Sequence, residues 1–132
     1  MTPHEQKQCA IKFLENFNHP DPKVFEELVT DNFTFEIVSA LQEFPPIRGR
    51  KNFASLETAN LLNLFPNGLK MKLGTIICEG PHVAVLAEAD TVAANGRPYR
   101  QRYNFYLRFE GDKIAAGREY NDTNLIREVF LT

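Results

Sequence analysis

The chain of 132 residues has no tryptophan, only two cysteines, and no block of charge of one sign. Each shortage removes a class of function. Its 15 Lys and Arg are scattered among 17 Asp and Glu, for a formal charge of −2. Nucleic-acid binding runs on clustered bases that displace counterions, so no nucleic-acid partner is expected. The stripe Arg100, Arg102, Tyr106 and Arg108 mixes bases with an aromatic, as single-strand binders do. In a chain without net positive charge it reads instead as a solvated or dimer-packing sheet face. Cys9 and Cys78 sit in apolar neighbourhoods and read as small buried hydrophobes, not as a disulfide framework. No apolar run approaches the roughly 20 residues of a membrane span, so no membrane partner is expected. Met1-Thr2-Pro3-His4-Glu5 lacks the basic-then-apolar layout of a signal peptide. A reducing cytoplasm is the expected setting. There is no HxxxH, HxH or CxxC spacing and no GxSxG, P-loop or GxGxxG motif, so neither metal nor cofactor is expected.

What is present is an ordinary globular composition, 43% apolar and 24% charged, with 11 Phe and 4 Tyr available to fill a core or line a cavity. The length suits one domain, residues 1–132. Thr2-Pro3-His4-Glu5 predicts a helix start, with Thr2 as cap, Pro3 in the first turn and Glu5 closing a capping box. Cys9, Ala10, Phe13, Leu14 and Phe17 then recur at helical spacing until His19-Pro20. Asp21-Pro22 opens a second helix with Val24, Phe25, Leu28 and Val29 on its buried face. Phe33, Phe35 and Ile37 alternate with polar residues as a short strand. Leu41 to Arg50, with Pro45-Pro46 and Gly49, reads as a loop. A third helix runs from about Asn52 to Phe65 and stops at Pro66-Asn67-Gly68.

The second half changes its apolar period from 3.6 to 2. Leu69, Met71 and Leu73 alternate with lysines, and Gly74 marks a bulge. Gly80-Pro81 turns the chain into a strand from His82 to Ala94. Asn95-Gly96 predicts a tight hairpin with both residues at positive φ. Tyr99, Gln101, Tyr103, Phe105, Leu107 and Phe109 share one face of the next strand, and Gly111-Asp112 turns into Lys113–Tyr120. Leu125, Ile126, Val129 and Phe130 predict a last short helix. Long antiparallel strands with one apolar face twist and curl over whatever covers that face.

Arg97-Pro98-Tyr99, the aromatic strand Tyr103-Asn104-Phe105-Tyr106-Leu107-Arg108-Phe109, the turn Gly111-Asp112-Lys113-Ile114 and the close Arg118-Glu119-Tyr120-Asn121-Asp122-Thr123 together resemble the SnoaL-like branch of the nuclear transport factor 2-like (ketosteroid isomerase-like) superfamily. Element order and Gly49-Arg50 ahead of the third helix extend the resemblance over nearly the whole chain. It implies a cone-shaped α+β fold whose curved mixed or antiparallel sheet and N-terminal helices enclose a pocket. It also implies a small hydrophobic ligand and a homodimer through the sheet's outer face. Members include polyketide cyclases, ketosteroid isomerase, epoxide hydrolases and scytalone dehydratase, beside members that bind proteins or have no known activity, so fold alone does not settle activity.

The resemblance points to Asp122 as a pocket acid or base, and Tyr120, of the same strand parity, as a phenol donor to a developing oxyanion. Asp122 or Thr123 can equally cap the last helix. Glu88 and Asp90 share parity mid-strand, where acids are disfavoured. They either face the pocket and contact substrate or pair across the hairpin with Arg100 and Arg102. Phe13, Phe17, Phe35, Phe65, Tyr103 and Phe105 are the expected substrate-binding wall, with Phe33 and Leu61, or are ordinary core. Three known chemistries are not recovered. Glu88-Ala89-Asp90-Thr91 lacks the arginine of the epoxide-opening motif. Phe13, Ile37 and Phe105 stand where the ketosteroid isomerases carry Tyr, Asp and an acid. His4, His19 and His82 do not form the histidine pair of scytalone dehydratase. The expectation is a cofactor-free acid–base enzyme of isomerase, cyclase or hydrolase type, or a non-catalytic binding module of the same fold.

Overall fold

The computed structural model describes residues 1–40 and 44–132; the start of the expected 41–50 loop lies outside the described residues. Helix α1 (Pro3–Glu15) begins with the capping box read from the sequence. Thr2 N–H donates to Glu5 Oε1 at 2.8 Å and Glu5 N–H to Thr2 Oγ1 at 3.1 Å. Helix α2 (Pro22–Leu28) is capped by Asp21, and its chain passes straight into strand β1 (Val29–Ile37). Val29 is thus the first strand residue, not the end of a helical face.

Within the expected loop, Ile47–Arg48 form a short strand β2 antiparallel to β1, with Phe35 opposite Ile47. Gly49, at φ 94°, then starts helix α3 (Arg50–Leu64), a conformation that a side chain there would strain. The Arg50 guanidinium reaches back to Val29 O at 2.9 Å and pairs with Asp31 at 2.6 Å, tying α3 to the start of β1.

Strands β3 (Met71–Glu79), β4 (His82–Val92), β5 (Pro98–Glu110) and β6 (Lys113–Asn121) are antiparallel neighbours, and helix α4 (Thr123–Phe130) follows. The order across the curved, unclosed sheet is β2-β1-β6-β5-β4-β3, and β1 lies parallel to β6. That parallel contact joins the two halves of the chain. The β3–β4 register shifts between Leu73 and Ile76, at the bulge Gly74 marked. The β4–β5 hairpin differs from the tight form expected. Only Gly96, at φ 82°, is in the left-handed region; Asn95 is not. Gly96 N–H donates to Ala93 O at 2.9 Å, giving a three-residue loop that ends in glycine.

Phenyl rings fill the interior between α1, α2, α3 and β1. Phe13 lies 5.5 Å from Phe25 and 5.9 Å from Phe33, and Phe53 lies 4.8 Å from Phe33. Such edge and offset pairs add about 0.5–1.5 kcal/mol each to their burial. Phe35 and Phe105 continue this cluster with essentially no exposure. The helices and the inner sheet face are therefore clamped at this side of the molecule, and open space remains beside it.

Candidate functional site

That space is a small, open-mouthed cavity of about 60 Å³, bounded by the turn after α1, by α3, the end of β1, β5, β6 and α4. Its wall is mainly apolar: Phe17, Ile37, Phe44, Leu61, Phe65 and Phe130 among others. The polar groups are few, and two are carboxyls. Glu57 comes from α3 and Glu119 from β6, and each residue is only 8% exposed. Tyr99 and Tyr103 of β5 and Asn60 of α3 complete the polar set.

The local sequence explains both acids. On α3 the buried positions Phe53, Glu57 and Leu61 are spaced by four, so Glu57 occupies the face of the helix that turns to the core. On β6 the decisive feature is a bulge. Arg108 pairs with Ala116 and Phe109 with Ile114, which leaves Ala115 unmatched. One extra residue exchanges the two faces of the strand beyond it. Ile114 is buried before the bulge, and Gly117 and Glu119 are buried after it. Arg118 and Tyr120 point outward.

Burial raises both carboxyls, because a charge loses solvation among apolar walls. Glu57 is pushed up to about 8, by desolvation first and by the charge of Glu119 second. Glu119 is pushed up to about 7 by desolvation, opposed by the hydrogen bond that Asn121 Nδ2 donates to Glu119 Oε2 at 2.8 Å. No hydrogen bond reaches the Glu57 carboxyl among the described residues. The Tyr99 and Tyr103 hydroxyls lie 3.0 Å apart. Both are held well above the ordinary phenol range, chiefly by burial, so both remain protonated donors. Asn121 Oδ1 is buried without a partner.

Of the residues expected to form the wall, Phe17, Phe65 and Tyr103 line this cavity. Phe13, Phe35 and Phe105 do not; they belong to the solid phenyl cluster. Asp122 lies outside the cavity. It is exposed, and its Oδ1 accepts the backbone N–H groups of Asn124 at 3.0 Å and Leu125 at 3.3 Å, as the N-cap of α4. Tyr120 is 41% exposed on the outer sheet face, for the parity reason given above. Glu88 and Asp90 are also on the outer face. Asp90 pairs with Arg100 at 3.5 Å and Glu88 stands opposite Arg102 in register. Such exposed pairs contribute about 0–1 kcal/mol. Of the two cysteines, Cys9 is buried, whereas Cys78 is half-buried and donates to Gln6 Oε1 at 3.0 Å.

Sequence reading missed Glu57 and Glu119. An acid on the apolar stripe of α3 was a visible signal for the first. The second depends on the Ala115 bulge. Among the described residues, no group of three or more His, Cys, Asp or Glu is placed to hold a metal ion. No described helix is long and apolar enough to cross a membrane.

The family model of the SnoaL-like domain matches residues 10–117. The chain belongs to the SnoaL-like family. No curated protein sequence matches it. Solved structures share its fold at low identity. A provisionally assigned isomerase from Bacillus subtilis is 21% identical with a TM-score of 0.84, over 98% of this chain and 96% of that one. An LEH-like epoxide hydrolase from M. tuberculosis is 18% identical with a TM-score of 0.79, over 98% and 91%. A nuclear transport factor 2-like protein from Burkholderia xenovorans LB400 is 17% identical with a TM-score of 0.79, over 98% of each chain. These likenesses establish the architecture of this SnoaL-like chain; its chemistry has to come from its own cavity.

Proposed function

We propose that this SnoaL-like protein binds a small hydrophobic carbonyl compound and moves its protons by acid–base catalysis without a cofactor, as an isomerase. One observation carries the reading: two carboxyls share one apolar cavity, one raised to about 7 and the other to about 8. Groups titrating near the working pH are the most effective proton carriers. Near neutral pH the pair then titrates, with Glu119 the more readily ionised and Glu57 the more readily protonated. Because they interact, the two values belong to the pair.

Glu119 is the base. Its carboxylate takes a proton from the carbon beside the carbonyl, and the electron pair moves onto the carbonyl oxygen. The protonated Glu57 and the Tyr99–Tyr103 hydroxyl pair are the available donors to that oxygen. Glu119 then returns the proton to a different carbon, so no atom is gained or lost. In this reading Asp122 takes no part in the proton transfer and, as cap of α4, helps place Ile126 and Phe130 on the cavity wall.

The homodimer implied by the family belongs to the same proposal. Ile77 of β3 and Leu86 of β4 are large exposed apolar side chains, and the molecular mass in solution tests the pairing.

The catalytic reading is tested by solvent-deuterium exchange into α-tetralone and cyclohexenone, followed by NMR. Exchange is expected to rise with pH through about 7 and fall above about 8. Glu119→Gln should abolish it and Glu57→Gln should slow it. Exchange that both variants leave unchanged overturns the reading, and tight ligand binding without exchange favours the non-catalytic module.

A further inference from the structure

Among the described residues, the cavity holds two carboxyls and no cationic side chain. None of its lining residues is Lys, Arg or His. Among the described residues, titratable groups reach it from three elements: Glu57 from α3, Tyr99 and Tyr103 from β5, and Glu119 from β6. The walls contributed by the turn after α1, the end of β1 and α4 are Phe17, Ile37, Ile126 and Phe130. Asp122, outside the wall, adds only a further negative charge felt by Tyr99. Buried carboxyls are normally paired with a cation or held by several donors. Glu119 has one donor, Asn121. Glu57, more than nine-tenths buried, has no hydrogen-bond partner among the described residues.

The rest of the wall suits a cation as well. Phe65, Tyr99 and Phe130 form a connected aromatic surface, with ring centres 4.8, 5.7 and 5.9 Å apart. Phe17, Phe44 and Tyr103 line the same space. Ring faces attract cations, and most strongly where water is excluded.

We propose that this cavity also takes a lipophilic organic cation, a quaternary or protonated amine held by the Glu57 and Glu119 carboxylates and the faces of the surrounding aromatic rings. The proposal rests on the cavity being a ligand site, as in the reading above. The donor set disfavours an inorganic ion, because calcium and magnesium take roughly six or more oxygens in a hydrated shell, and the remaining wall is hydrocarbon. A bound ammonium stabilises both carboxylates. Its binding therefore expels the protons they carry, including the Glu57 proton that the isomerase step uses. The amine is then a competitor of the carbonyl substrate.

The test uses phenyltrimethylammonium, whose charge does not titrate, and tert-butylbenzene, its neutral isostere, in NMR titrations of the intact chain. From about pH 6 to about pH 9 the ammonium should bind more than tenfold tighter, and at the acid end its binding should release at least one proton, because the carboxyls at about 7 and about 8 ionise over this range. The isostere should show no such gain. In the Glu57→Gln, Glu119→Gln double variant the pH dependence of ammonium binding should vanish while the isostere still binds, which also reports that the cavity is intact. Ammonium binding that is flat with pH, or weaker than that of the isostere at every pH, overturns the cation proposal and leaves the hydrophobic site standing. If neither compound binds at any pH, the ligand-site reading falls with it.

Discussion

Replacing Glu57 with glutamine removes a buried ionisable group while keeping its size, and the consequence for stability depends on pH in a calculable way. The carboxyl titrates at 4.5 when solvated and at about 8 in the fold. At about 1.4 kcal/mol per pH unit, ionising it in place costs about 5 kcal/mol, against a total stability of about 5–15 kcal/mol for a domain of this kind. Below pH 4.5 the group is neutral in both states and the cost is absent. Between 4.5 and about 8 the folded chain keeps a proton that the unfolded chain has released, so stability falls as pH rises. Above about 8 the loss is complete and the curve levels. Glu119 follows the same sign over 4.5 to about 7 and adds about 3 kcal/mol. The Glu57→Gln variant should match the wild type near pH 4 and exceed it by several kcal/mol near pH 9, as read by urea unfolding across that range. Wild-type and variant curves that run parallel, or a wild type that gains stability from pH 5 to about 8, would falsify the burial of this acid as described.

Asp122→Ala removes both hydrogen bonds at the start of α4 and should cost about 1 kcal/mol, seen as a lower melting temperature, while α-proton exchange persists; loss of exchange in a folded Asp122→Ala protein would return this residue to the chemistry. Gly117→Ala would place a Cβ 2.9 Å from Phe35 Cδ1 and 3.3 Å from Leu107 Cδ2, so overpacking should cost about 1–3 kcal/mol in denaturant unfolding, and an unchanged midpoint would show that β1 and β6 approach less closely than described.

Local chemistry settled most of the elements. The Thr2–Glu5 box, the Asp21-Pro22 start and the strict alternation from Tyr99 to Phe109 depend only on neighbouring residues, and each appears in the fold as read. The family motif near the end of the chain likewise led to the right architecture. The β2 pairing was hidden, because a two-residue strand carries no period and exists only by contact with Phe35 and Thr34.

The site lay beyond the sequence for a related reason. Whether Glu119 or Tyr120 enters the interior is a question of parity, and the bulge at Ala115 reverses that parity through pairing between β5 and β6. Likewise, only the packing of α3 against the parallel β1–β6 pair tells which Phe side chains make solid core and which face open space. Sequence determines what each segment prefers to be, since propensity, capping and period act over a few residues. Which acids lose their water is decided by contacts between segments far apart in the chain, and those exist only once the sheet has curved and the helices have closed over it.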